Sequence, residues 1–274
     1  GDDLAVADVN NDSKDDIILG AHGADGPGES RSRAGEVYVI YGSASLPQTL
    51  DLAVPGTEDV LILGGRTEDL LGNAVATGDL NGDGTNDLIL SAVQADGPGD
   101  IRSEAGDVYV IYGGGSWPAT IDLADGAQAD VLIYGASFDD ELGYSLAVGD
   151  INGDGTDVLA VSAPFTDGPG TRPSPGEVSI LHGGPSLPPV IDLASSPQVS
   201  TLLIGGGSWD LLSAEEISDV NDDGNADLVL LAAGDGPYDS RTNAGEVYVF
   251  YSAGSLPGTV DLFDPGRADA QVYG

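Results

Sequence analysis

A unit of roughly 70 residues occurs four times along this chain, so the fold must be one in which copies of a single supersecondary unit pack on one another. Each copy opens on an acidic loop: DVNNDSKDD from Asp8, DLNGDGTND from Asp79, DINGDGTDV from Asp150 and DVNDDGNAD from Asp219. An apolar stretch follows directly, DIILGA at Asp16, DLILSA at Asp87, VLAVSA at Val158 and DLVLLA at Asp227. Beyond a Gly/Pro-rich turn comes an alternating segment, GEVYVIYG at Gly35, GDVYVIYG at Gly106, GEVSILHG at Gly176 and GEVYVFYS at Gly245. In the same phase follow SLPQTLDLA at Ser45, SWPATIDLA at Ser116, SLPPVIDLA at Ser186 and SLPGTVDLF at Ser255. The unit closes on DVLILGG at Asp59, DVLIYGA at Asp130, TLLIGGG at Thr201 and DAQVYG at Asp269.

The apolar residues alternate or run in short blocks bounded by Gly, Pro and Asp, and no window sustains a helical period. The 42 glycines and 16 prolines recur at equivalent places, which makes them turn chemistry and not linker composition. Four short strand signals in a unit of this length describe one blade of a β-propeller. The expected fold is therefore all-β, with four blades of four antiparallel strands. Residues 1–274 are expected to form a single propeller domain, with repeats near 1–64, 65–135, 136–205 and 206–274. The two ends of the chain lie almost in phase on the repeat. That favours a four-bladed ring, with a segment of a larger propeller or repeat array as the alternative.

With 41% hydrophobic residues the chain can bury a substantial core, and with no cysteine it is held without disulfides. The formal net charge of −38, with Lys14 the only lysine, disfavours nucleic acid and anionic membrane surfaces and leaves cations as natural partners. No apolar run approaches the length needed to span a bilayer, and no signal-like segment opens the chain, so a soluble mature chain or an excerpt of one is expected. A surface so rich in acid suggests an extracellular or cell-surface setting that is saline or rich in calcium.

The loops carry the most specific chemistry. Counting the first Asp as position 1, the second loop places Asp79, Asn81 and Asp83 at 1, 3 and 5, the carbonyl of Thr85 at 7 and Asp87 at 9. Oxygen donors at alternate positions of a tight turn are what Ca²⁺ requires, and Gly at 6 allows the left-handed bend. The first loop matches with Asp8, Asn10, Asp12, the Lys14 carbonyl and Asp16, with Ser13 in place of the glycine. The fourth matches with Asp219, Asn221, Asp223, the Asn225 carbonyl and Asp227. The third keeps Asp150, Asn152, Asp154 and the Thr156 carbonyl, but Val158 occupies position 9 and the nearest acid, Asp157, is one residue early. That shift reverses the side-chain direction on an extended segment, so this site is expected to be weaker, completed by water, or empty. An EF-hand is excluded because position 12 is Leu19, Leu90, Val161 or Leu230 and not Glu. A plain hairpin turn needs two such residues, not five donors in register.

These motifs resemble the FG-GAP repeats of integrin α-subunit β-propellers and of related bacterial and phospholipase propeller domains. The family's Phe-Gly step stands here as Leu71-Gly72 and Leu142-Gly143, degraded to Leu212-Ser213. Its Gly-Ala-Pro step stands as Gly20-Ala21-His22, Ser91-Ala92-Val93, Ser162-Ala163-Pro164 and Leu231-Ala232-Ala233. The resemblance implies blades that carry Ca²⁺ in the hairpin between their first two strands, serving as a binding or adhesion platform.

Arg31, Arg102, Arg172 and Arg241 each lie four residues before the repeat glycine. A structural fork onto a carboxylate such as Asp25, Asp96, Asp167 or Asp235 is expected, with a ring of Arg holding an anionic ligand as the functional alternative. The expected function is a calcium-binding extracellular binding, adhesion or surface-assembly module that takes a protein or glycan ligand or a further copy of itself. A lectin-like propeller using Trp117, Trp209 and Tyr238 is the first alternative, and a carboxylate-based hydrolase or lyase the second. His22 and His182 have no evident nucleophile partner and no carboxylate pair stands out, so the chain is expected not to be an enzyme.

Overall fold

The computed structural model describes residues 3–124, 128–170, 172–195, 198–234, 241–251, 256, 258–264 and 266–274. The first repeat supplies strands β1 (Asp3–Ala7), β2 (Asp16–Ala21), β3 (Glu36–Ile40) and β4 (Val60–Leu63). The second supplies β5 (Leu71–Gly78), β6 (Asp87–Ala92), β7 (Asp107–Ile111), β8 (Thr120–Asp122) and β9 (Val131–Tyr134). In the third are β10 (Leu146–Gly149), β11 (Val158–Ala163), β12 (Glu177–His182), β13 (Val190–Asp192) and β14 (Val199–Ile204). The fourth holds β15 (Ser213–Ser218), β16 (Asp227–Ala232), β17 (Glu246–Phe250), β18 (Thr259–Asp261) and β19 (Ala270–Tyr273). Among the described residues helix is confined to two short turns, Pro27–Glu29 and Pro98–Asp100.

Each repeat builds an antiparallel meander: β1-β2-β3-β4, β5-β6-β7-β9, β10-β11-β12-β14 and β15-β16-β17-β19. The fold is the expected all-β propeller-blade architecture, but each repeat also supplies an innermost strand ahead of its acidic loop, β1, β5, β10 or β15, that the four apolar signals did not include, and the S-x-P signal does not stay in its own blade. The S-x-P segment of the following repeat crosses to the previous blade and pairs parallel with its outermost strand. Thus β8 pairs with β4, β13 with β9 and β18 with β14, and three of the four sheets have five strands. The sequence hides this exchange because Thr-Ile-Asp-Leu alternates equally well in its own repeat or the previous one.

A charged pair fixes each exchange. Arg31 donates from Nη1 and Nη2 to the two carboxylate oxygens of Asp122, each at 2.7 Å, and from Nη1 to the Gly64 carbonyl at 2.7 Å. Arg102 does the same to Asp192 and the Gly135 carbonyl, all at 2.7 Å. Arg172 takes Asp261 at 2.9 and 2.6 Å and the Gly205 carbonyl at 2.7 Å. The forks are structural, as expected, but the partner is the Asp of the lent strand and not the repeat acid beside the turn. Asp25, Asp96 and Asp167 instead accept the N–H of Arg33, Glu104 and Ser174 and shape the loop itself. Asp235 lies outside the described residues. The glycine under the clasp is obligatory, since a Cβ on Gly64 would stand 1.9 Å from the Ala34 carbonyl oxygen.

The core lies between successive sheets. Alternate residues of β6 face opposite ways, Leu88 and Leu90 toward the first blade and Ile89 toward the third, and all three are fully buried. The innermost strands pack in the series β1, β5, β10, β15. By contrast β2 is buried only on alternate residues, because Ile18 meets the second blade while Ile17 and Leu19 meet no earlier one. The described residues therefore form an open arc of four blades and not a closed four-bladed ring.

The clasp is a half-buried, bidentate charged contact, for which hydrogen bonds contribute about 1.5–3 kcal/mol. Arg102→Met is expected to lower the unfolding free energy by about that amount, read as a lower urea midpoint in equilibrium denaturation.

Candidate metal centres

The four acidic loops are the tips of the first hairpin of each blade, joining β1 to β2, β5 to β6, β10 to β11 and β15 to β16. They share one backbone. In the second loop Gly82 and Gly84, at positions 4 and 6, have φ of 75° and 87°, and in the third Gly153 and Gly155 have 72° and 85°. The first loop holds the same bend with Asn11 at 61° and Ser13 at 67°, and the fourth with Asp222 at 62° and Gly224 at 91°.

That bend turns backbone N–H groups inward onto the acids. Asp79 Oδ1 accepts Gly82 N at 2.8 Å and Asp83 N at 3.0 Å, and its Oδ2 accepts Gly84 N at 2.8 Å. Asn81 Oδ1 accepts Asp83 N at 2.8 Å, and Asp83 Oδ1 accepts Thr85 N at 2.9 Å. The other loops repeat the pattern. Asp8 accepts the N–H of Asp12 and Ser13, Asn10 that of Asp12, and Asp12 that of Lys14. Asp150 accepts those of Gly153, Asp154 and Gly155, Asn152 that of Asp154, and Asp154 that of Thr156. Asp219 accepts those of Asp223 and Gly224, Asn221 that of Asp223, and Asp223 that of Asn225. Lys14, considered in the sequence only for its carbonyl, also places its ammonium 2.8 Å from Asp12.

Position 9 is the deepest point of the loop. Asp16, Asp87 and Asp227 are fully buried at the start of the second strand. Asp87 accepts the N–H of Leu80 at 3.0 Å, of Asn81 at 3.2 Å and of Gly113 at 3.0 Å. Asp16 accepts those of Val9 and Gly42, and Asp227 that of Val220. Burial pushes the Asp87 carboxyl up to about 6, with the charge of Asp83 acting in the same direction, and burial raises Asp16 likewise. The Asn81 amide nitrogen lies 3.0 Å from Asp83 Oδ2 and 3.5 Å from Asp87 Oδ1, so one donor spans both acids.

The third loop departs where the sequence does. Val158 is buried in the core, and Asp157 turns away from its own loop to accept the N–H of Asp79 in the neighbouring blade at 2.7 Å. Near the remaining donors His182 Nδ1 lies 3.3 Å from the Asn152 amide nitrogen. The bond from Asp157 to the next loop was not legible in the sequence; its one signal was an acid displaced by one residue.

Among the described residues no three acidic or histidine side chains converge as a ready-made metal cage. The donor set is nonetheless one a hard cation accepts: the side-chain donors at positions 1, 3, 5 and 9 are oxygen, and a carboxylate oxygen that takes one N–H keeps a free lone pair. Among the described residues no cation pairs with the buried, raised carboxyl of Asp87.

Three segments, residues 1–40, 71–111 and 142–181, match the family model for the FG-GAP repeat. This is an FG-GAP repeat chain. The fourth blade, outside the matched segments, repeats the same meander. The FG-GAP chain is 32% identical over 186 residues to human phosphatidylinositol-glycan-specific phospholipase D, covering 67% of this chain and 20% of that protein. The rat enzyme of the same name is 32% identical over 169 residues, 62% of this chain and 19% of the relative. Integrin alpha-PS2 of Drosophila melanogaster is 33% identical over 135 residues, 46% of this chain and 9% of the integrin. The chain thus spans about a fifth of the phospholipases' length. These relatives correct the expectation of a non-enzyme, because repeats similar to these, over two thirds of the chain, are part of proteins named as phospholipases D.

Of the aromatic residues considered for sugar stacking, Trp117 packs against the core and donates its indole N–H to the Tyr112 carbonyl at 3.0 Å, a packing role. Trp209 is 60% exposed, and Tyr238 lies outside the described residues.

A Cβ on Gly84 would meet nothing within 4 Å, so its glycine answers the backbone alone. Gly84→Ala is expected to cost about 1–2 kcal/mol, measured as the shift in unfolding free energy. Away from the loops, burial with the nearby charge of Asp69 pushes Asp107 up to about 8, and burial with the nearby charge of Asp140 pushes Glu177 up to about 7. The folded state holds these protons where the unfolded chain releases them, so their contribution is present at low pH and is lost as pH rises toward 8. In chelator, the melting temperature is expected to fall steadily as pH is raised from about 5 to 8, and Asp107→Asn to flatten that slope.

Proposed function

We propose that this FG-GAP chain is the calcium-binding propeller portion of a larger extracellular or cell-surface protein, and that the metal is structural first. The observation that carries the reading is the repeated loop, four times the same left-handed bend presenting oxygens at positions 1, 3 and 5, with a buried acid at position 9 in three of them. Ca²⁺ bound there would meet Asp79, Asn81, Asp83 and Asp87, and the corresponding residues of the first and fourth loops. At Asp87 it would supply a positive charge beside a carboxyl that burial raises. The third loop, without a ninth oxygen, holds the ion more weakly. The surrounding surface then presents a protein or glycan ligand site, with neither nucleic acid nor a bilayer core as partner. No helix of the described residues is long and apolar enough to cross a membrane. A second reading, in which the repeats serve a phospholipase D acting on phosphatidylinositol-glycan, is favoured by the names of the mammalian relatives.

If each site binds with a dissociation constant of about 0.1 mM, then ~1 mM Ca²⁺ stabilises the fold by roughly 1.4 kcal/mol per site. Three or four sites contribute about 4–6 kcal/mol, comparable with the stability of a whole domain. EDTA is therefore expected to lower the melting temperature strongly and Asp79→Asn to remove part of the difference, whereas a melt that EDTA leaves unchanged would refute a structural metal. Calorimetric titration is expected to show three comparable sites and a weaker fourth that Val158→Asp strengthens.

A further inference from the structure

Between the first and second blades lies a cleft of about 100 Å³, walled by the connection 65–69, the turn 95–100, β7 and β9. Asp107 of β7 lines it while 5% exposed, and its Oδ1 has no hydrogen-bond partner. Asp69 lines it too, at 7% exposed, and Asp96 adds a third carboxyl. Arg66, the one basic residue of the wall among the described residues, is half-exposed and pairs with Asp100. That ion pair sits at the mouth and leaves the deeper acids to the cleft.

A single methylene explains why Asp107 is left over. The other repeats carry Glu36, Glu177 and Glu246 at its position. Glu36 and Glu246 each accept the hydroxyl of the tyrosine two residues on, Tyr38 and Tyr248. Asp107 is shorter, and among the described residues no such bond joins it to Tyr109. The carboxyl therefore faces space that the longer side chain would fill.

Three carboxyls against one engaged guanidinium call for a cation. Among the described residues no three acids converge as a metal cage. An ammonium group asks for less, since its three N–H donors reach carboxylate oxygens one at a time at about 2.7–2.9 Å. The space suits a ligand of a few heavy atoms, because one water needs roughly 10–15 Å³ by the same measure. Tyr109, Leu132 and Tyr134 offer an apolar surface to a short alkyl chain.

We propose that this cleft binds a small primary amine in its ammonium form, with Asp107 Oδ1 and Asp69 accepting from the nitrogen and the wall of Tyr109, Leu132 and Tyr134 covering the alkyl chain. Burial with the charges of Asp69 and Asp96 pushes Asp107 up to about 8, against Arg66 and Arg102, which act the other way. Tyr109 and Tyr134, the remaining titratable neighbours, are themselves held protonated by burial. The ammonium thus displaces a proton from Asp107 as it binds. No residue of the acidic loops lines the cleft, so the inference stands apart from calcium.

The test is calorimetric titration of the chain with n-propylammonium chloride, with calcium present and in about 0.15 M salt to screen diffuse attraction by the acidic surface. Saturable one-to-one binding is expected. Tetramethylammonium, which carries the charge without an N–H, is expected not to saturate. Asp107→Glu installs the residue of the other repeats, so the melting temperature is kept, and binding is expected to weaken by at least about tenfold. Arg66→Ala removes a competing positive charge at a half-exposed position and is expected to tighten binding severalfold. Affinity is expected to rise about fivefold from pH 7 to 8 and to level off above about 9, where Asp107 is ionised and the amine still holds its proton. No saturable heat at millimolar amine, equal binding of tetramethylammonium, or an affinity that either substitution leaves unchanged would overturn the proposal.

Discussion

Where one blade stands relative to the next is decided by an arginine fork that reaches out of its own repeat. Arg31, Arg102 and Arg172 bind at once a carbonyl of their own blade and the carboxylate of a strand belonging to the following repeat, so a single side chain ties two repeats and a sheet edge together. Lys could not do this, because a point charge lacks the two parallel donors that grip a carboxylate and fix its strand in register. The fork also holds Asp122 and Asp192 below the usual carboxylate range, keeping the pair charged across ordinary pH. With the edge fixed, the apolar faces of successive sheets meet in a constant relation, and the acidic hairpins emerge at corresponding places on each blade.

The acid content reads differently once the bonds are traced. A large part of it serves the backbone: Asp59, Asp130 and Asp269 accept the N–H of Tyr41, Tyr112 and Tyr251 at the close of the third strand. Asp25, Asp96 and Asp167 shape the long turn. Aspartate is favoured here because its short carboxylate reaches backbone donors within a few residues, which in a sheet protein made of tight turns replaces many water-exposed N–H groups. A net charge of −38 is thus partly the result of using Asp as turn cement, with the hairpin loops as one instance of a wider habit.

The repeat, the strand identities and the four loops were legible because each depends on local spacing: alternation for strands, Gly and Asn for the left-handed bend, oxygens two apart. Departures were legible for the same reason, as at Val158. What was not legible is whatever depends on a partner in another repeat. Asp122, Asp192 and Asp261 recur as plainly as the loops do, but nothing local says that a Thr-Ile-Asp run leaves its own repeat for the previous sheet. Nor does Asp157 announce, from its neighbours in sequence, that it bonds to the loop at Asp79. Non-local pairing is set by packing between sheets, and one sequence records the consequences of packing without its address.

Lending the outermost strand back to the previous blade also fixes an order of events in biosynthesis. On the ribosome, the sheet begun by β1 presents a bare edge at Val60–Leu63 until Thr120–Asp122 has been translated and has left the exit tunnel. Each of the first three blades in turn waits for its successor to seal it, so the nascent polypeptide carries one sticky margin that moves toward the C-terminus as elongation proceeds.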